Sequence, residues 1–153
     1  MHALPHRYAV SASVAPQGDI TLESDGLPRL RSEAPVEFDG PGTLWSPETL
    51  LTAAVADCLA LTFRGVAKAR GLPFVSFHCE VEGTLDRVAG RTVFTQFRIH
   101  AGLRVPEGTP SADAERALLR AKETCLVTNS LTATTIFQFD VVTEPEAVPS
   151  HAR

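Results

Sequence analysis

The sequence predicts an α+β fold in a single domain spanning residues 1–153, with strand hairpins packed on a long apolar helix that a second copy of the chain helps to enclose. Three observations carry this expectation. One helix has clear start and stop signals. Several segments alternate apolar and polar residues with the period of a strand. The helix is apolar on nearly every side, and a few strands from one small domain can cover only one side of it.

Taken in order, residues 8–15 alternate through Tyr8, Val10, Ala12 and Val14, and Pro16-Gln17-Gly18-Asp19 then supplies turn chemistry. A second strand over 20–24 completes a hairpin. Asp25-Gly26 turns the chain into a third extended piece over 30–38, weakened by Pro35, which cannot donate to a ladder. Asp39-Gly40-Pro41-Gly42 is a loop.

Ser46-Pro47-Glu48 opens the long helix: Ser accepts from orphan amides, Pro is preset for the first helical position, and Glu complements the positive end of the dipole. Gly71 suits a left-handed cap and Pro73 forbids continuation. The helix is therefore about 24 residues and ~36 Å long. Its stretch 50–63 is apolar but interrupted by Asp57 and shorter than the ~20 residues that span a bilayer, so a buried helix is expected and no membrane partner.

In 74–83 the inward residues are Val75, Phe77, Cys79 and Val81; in 91–105 they are Val93, Thr95, Phe97, Ile99, Ala101, Leu103 and Val105. A turn over 86–90 joins the two as a hairpin. A cap at Thr109 or Ser111 opens a second helix whose stripe Leu118, Ala121 and Cys125 points Cys125 into the core. The polar turn Thr128-Asn129-Ser130 leads into a last strand over 134–143, with Phe137, Phe139 and Val141 inward. Residues 144–153 form a loose tail.

With 44% hydrophobic and 21% charged residues the chain belongs among ordinary globular domains. Its net charge of −4 and scattered Lys and Arg give no footprint for nucleic acid. Residues 1–10 lack an apolar core, which leads us to expect a cytoplasmic protein. Three widely spaced cysteines, 58, 79 and 125, suit neither a disulfide framework nor a CxxC zinc site. By spacing alone Cys58 and Cys125 read as small core hydrophobes, and burial by itself leaves a thiol inert. Cys79 reads as core. His78 and His100 stand on outward faces and are weak grounds for a metal; neither a metal nor any other cofactor is expected. Trp45 is expected to pack, with a pocket mouth as its other role, and Asp57 needs a partner if buried.

Two segments bear a resemblance. Ser46-Pro47-Glu48-Thr49-Leu50-Leu51, followed by small residues up to Cys58-Leu59-Ala60, resembles the helix signature of the OsmC/Ohr family. Lys122-Glu123-Thr124-Cys125-Leu126-Val127-Thr128-Asn129-Ser130 resembles the family's second cysteine signature, and the order of elements matches over 8–143. The resemblance implies an OsmC-like fold, with antiparallel sheets wrapped around long central helices in an intertwined homodimer. It also implies a thiol-dependent peroxidase acting on organic hydroperoxides, with Cys58 as the attacking thiolate, Cys125 as the resolving thiol, and an external dithiol of lipoyl or thioredoxin type as reductant.

Glu48 matches the family carboxylate that orients an activating arginine. Ten residues of helix set it ~15 Å along the axis from Cys58, so any thiol it serves belongs to the partner subunit; otherwise it complements the helix dipole. The family's peroxidases carry an arginine in the turn after the first strand, and Ala15-Pro16-Gln17-Gly18-Asp19 has none. Arg29 and Arg31 are the candidates for folding over the thiol in its place. The alternatives are a non-catalytic stress or small apolar-ligand-binding protein, and a thiol redox sensor.

Overall fold

A computed structural model describes residues 3–145, and the elements in it follow the local chemistry of the chain closely. It forms two compact units, Met1–Leu51 and Thr52–Arg153.

In the first unit β1 (Ser11–Ser13), β2 (Ile20–Glu23) and β3 (Leu30–Ser32) form an antiparallel sheet in that order. The strands are shorter than alternation predicts. The third extended segment stops at Ser32, and Val36–Phe38 is a 3-10 turn. Pro35 is the reason: it offers no N–H to a ladder, while its carbonyl accepts from Phe38 and Gly40, each at 3.0 Å. Glu33 ties the following loop down by accepting from the backbone N–H groups of Thr43 and Leu44, the latter at 2.8 Å.

The long helix α1 (Pro47–Arg70) has the predicted 24 residues. At its start Thr49 N–H donates to Ser46 Oγ (3.2 Å) and Ser46 N–H donates to Thr49 Oγ1 (2.8 Å), a reciprocal cap that satisfies two orphan donors. At its end Leu72 N–H donates to the Ala67 carbonyl (3.0 Å) and Gly71 N–H to that of Lys68 (3.2 Å). Gly71 has φ +64°, the left-handed turn this closing motif needs. The helix is long and apolar enough to cross a bilayer, with a mean hydropathy of 1.6 over its most apolar 18 residues. In this fold, however, one stripe of it, Val55, Leu59, Phe63 and Ala67, is fully buried.

The second unit is built on β4 (Ser76–Val88), β5 (Arg91–Pro106) and β6 (Thr134–Glu144), with β5 in the centre. The β4–β5 turn is tighter than expected, just Ala89 and Gly90, both at positive φ (+50° and +79°), as a two-residue hairpin loop requires. A bulge opposite Thr84 and Leu85 makes Thr95 the extra residue. It corrects the predicted face: beyond it Phe94, not Thr95 or Val93, shares the inner side and stacks on Phe97 at 5.1 Å.

Helix α2 (Ser111–Thr124) then carries the chain back, so β6 runs parallel to β5 and this sheet is mixed, where antiparallel pairing was expected. Alternation of side chains is the same in either direction; only a crossover helix of this length permits the parallel pairing. Neither Thr109 nor Ser111 caps α2. Pro110 occupies the cap position, and its carbonyl accepts from Asp113 (3.0 Å). Phe97, Ile99, Ala101, Leu103 and Val105 of β5 are buried, as are Ala114, Ala117, Leu118 and Ala121 of α2. Strand β6 extends through Glu144, the first residue of the predicted loose tail; residues 146–153 lie outside the described residues.

Candidate functional site

Cys58 stands near the middle of α1 one residue before Leu59, whose side chain is in the core, so the thiol lies at the edge of the buried stripe and is half-buried. Thr62 is one helical turn on, and its Oγ1 lies 4.0 Å from Cys58 Sγ. Cys125 ends α2 and is fully buried. It caps the one-turn helix α3 (Leu126–Asn129), which replaces the polar turn expected there. The Thr128 hydroxyl donates to the Cys125 carbonyl at 3.0 Å, fixing this turn.

The fold brings the sulfurs of Cys58 and Cys125 together, although 67 residues separate them in the chain. Burial pushes the Cys125 thiol above its ordinary range, and the Thr128 hydroxyl and amide beside it pull it back. The nearby Cys58 side chain raises it further. Both cysteines are free thiols.

Cys79, on the inward face of β4 and half-buried, is also part of this neighbourhood. Burial lifts its thiol to about 11, and the charges of Cys125 and Glu80 add to the rise. By alternation Cys79 reads as packing, and the roles of Thr62 and Thr128 beside the two other cysteines emerge in the fold. The threonines had a signal: one lies four residues after Cys58 on a helix and the other three after Cys125 at a helix end, the spacings at which a hydroxyl reaches back.

Of the other candidates, Glu48 occupies the first turn of α1. Arg29 pairs with Glu23 and Arg31 with Asp19, both arginines largely exposed. Arg31, hydrogen-bonded to Asp19, holds that carboxyl below its usual range. His100 Nε2 is 2.8 Å from Asp140 and His78 Nε2 is 3.3 Å from Glu80, so each histidine faces a carboxylate and not the other histidine. Trp45 borders a shallow cavity of about 370 Å³ with Thr43, Leu44 and Thr49. Asp57 is exposed and lines a groove of about 310 Å³ with Leu61, Phe63, Arg64, Phe74 and Phe77.

The profile of the OsmC-like protein family matches residues 40–140, which include both cysteine segments. No curated protein sequence matches the chain. Among solved structures it is similar to an OsmC-like protein of unknown function from Vibrio cholerae, with a TM-score of 0.81 at 17% identity over 89% of this chain and 100% of that one. It is also similar to an organic hydroperoxide resistance protein OsmC from Legionella pneumophila (TM-score 0.71, 23% identity, 91% of this chain and 98% of that one). A third similar structure is an organic hydroperoxide resistance protein from Elizabethkingia anophelis (TM-score 0.74, 16% identity, 94% and 100%).

Proposed function

Since this chain belongs to the OsmC-like protein family, we propose that it is a cytoplasmic, homodimeric thiol peroxidase that reduces organic hydroperoxides in oxidative stress defence. The observation that supports this most directly is that the fold sets the Cys58 thiol near enough to the buried Cys125 to act on its titration. The Cys58 thiolate attacks one peroxide oxygen; the O–O bond breaks, the departing alkoxide takes a proton to become the alcohol, and Cys58 is left as a sulfenic acid. The Cys125 thiol then attacks the Cys58 sulfur, the S–S bond forms and water leaves. An external dithiol, lipoyl-type or thioredoxin-like, reduces the disulfide by exchange. Apolar side chains around α1 favour alkyl hydroperoxides over hydrogen peroxide.

The dimer reading rests on α1, which is apolar all round yet buries one stripe within a single chain. Glu48 then serves the thiol of the partner subunit. Arg29 and Arg31 pair with Glu23 and Asp19 through Nε, so a thiolate would be held by their terminal guanidinium N–H groups, with the carboxylate fixing the arginine's orientation.

The test is to treat the protein with cumene hydroperoxide and weigh it without reductant. The expected result is a loss of two hydrogens, about 2 Da, that disappears in a Cys125→Ser variant. An unchanged mass supports a second reading, a non-catalytic binder of small apolar ligands, which the upward-shifted Cys125 thiol favours. A disulfide that forms once but does not turn over with any dithiol identifies a redox sensor.

A further inference from the structure

We propose that Cys79 is a third redox thiol, which takes Cys125 over from the Cys58–Cys125 disulfide and so frees Cys58 while the chain still carries its oxidised pair. The proposal rests on the peroxidase reading for the source of the first disulfide; the exchange itself needs no further oxidant. The Cys79 thiolate attacks the Cys125 sulfur, the S–S bond to Cys58 breaks, a bond between Cys79 and Cys125 forms, and Cys58 leaves as a thiolate. One disulfide is consumed and one is made.

The registration of α1 against β4 carries the argument. At one end a Cβ on Gly83 would lie 3.0 Å from Thr52 Oγ1, so strand and helix touch there. At the other, Phe63 stacks on Phe77 at 4.6 Å. Between these anchors the helix advances ~16 Å and the strand ~20 Å, in opposite directions. Cys79 lies a third of the way from Phe77 to Gly83, which brings it level with Leu59, the helical neighbour of Cys58. Leu59 faces the core, and Cys79 is on the inward face of its strand. The cross-strand neighbour of Cys79 is Ala101, a single buried methyl that leaves the sulfur side uncrowded. Helix α2 starts just past Pro106 and runs back along the sheet for 14 residues, ~21 Å or about six strand residues, which sets Cys125 at its end near the level of Ala101 and so of Cys79; the charge of Cys125 acts on Cys79 there. The three sulfurs thus form one layer, with Cys125 as the member common to both pairs.

The environment of Cys79 sets the timing. At neutral pH a thiol raised to about 11 is almost wholly protonated, so the exchange is slower than formation of the first disulfide. Once bonded, a sulfur of high pKa is a poor leaving group, and the second disulfide reverts slowly. Cys58, returned to the thiolate, can meet a second hydroperoxide.

The experiment maps disulfides in the whole protein by mass spectrometry after alkylation and digestion without reductant. One sample is oxidised with cumene hydroperoxide. A parallel sample is oxidised briefly with diamide, desalted, and shifted from pH 7.5 to pH 9.5, so that exchange is read whether or not the peroxide makes the bond. In the diamide sample a Cys58–Cys125 cross-link should convert to Cys79–Cys125, about 100-fold faster at the higher pH because thiolate rises tenfold per unit below the pKa. In Cys79→Ser the first cross-link should persist. A Cys58–Cys125 bond that stays put in the wild type at pH 9.5, with Cys79 still open to alkylation, overturns the relay and leaves the peroxidase reading standing. Failure of cumene hydroperoxide alone, with exchange intact in the diamide sample, sinks the peroxidase reading and upholds the relay.

Discussion

Both sides of α1 carry apolar residues, the open one with Asp57, Arg64 and Lys68 among them, and the two fare differently in the fold. Val55, Leu59, Phe63 and Ala67 repeat every four residues and are fully buried, whereas Leu61, half a turn away from Leu59, is 49% exposed and Ala54 and Asp57 are open. Apolar character along a helix records all the surfaces that cover it, including any supplied by another copy of the chain. Substitutions on the two sides should therefore report different things. Phe63→Ala removes a ring stacked on Phe77 and set edge-on to Phe74 at 5.3 Å. It should lower stability by about 3–5 kcal/mol in urea titrations at fixed protein concentration. A loss below ~1 kcal/mol would mean that the buried stripe does not anchor the helix.

The opposite side tests the dimer. Leu61→Glu places a charge where a single chain leaves the side chain half open, so the fold and its circular dichroism should survive. In the dimer the same carboxylate would be desolvated. Sedimentation should then show self-association weakened by at least ~30-fold, about 2 kcal/mol, the scale of an interface hot spot. Association as tight as in the wild type would remove this face of α1 from the interface.

This contrast also explains what was legible in the sequence. The limits of α1 were readable because Ser46, Pro47, Gly71 and Pro73 act on their immediate neighbours. The buried residues of β5 from Phe97 on and the half-buried inward face of β6 were readable from alternation, which depends only on one face being covered. The direction of β6 was not, since alternation is blind to it. Nor was the bulge at Thr95, set by how two strands of unequal path fit together. In the first unit, apolar alternation over residues 8–15 overstated a strand that pairs only over Ser11–Ser13. The meeting of Cys58 with Cys125 could be expected from a family resemblance alone, because no local rule links a helix middle to another helix's end. The level of Cys79 was hidden for the same reason: it depends on how far β4 slides along α1.

The smallest effect should come from a residue that belongs to neither side. Ser46 is buried and its hydroxyl accepts from Thr49 N–H at the first turn of α1. Ser46→Ala leaves that donor without its side-chain acceptor, while the return bond from Ser46 N–H to Thr49 Oγ1 can persist because it uses the backbone. The expected cost is about 1 kcal/mol. Since the cap acts on the helix as a whole, the loss should appear in urea titrations of both the wild-type background and Leu61→Glu, adding to each within ~0.5 kcal/mol. If the cap variant instead costs nothing in the Leu61→Glu background, the first turn of α1 is ordered by association, and the two sides of the helix are coupled through its N-terminus.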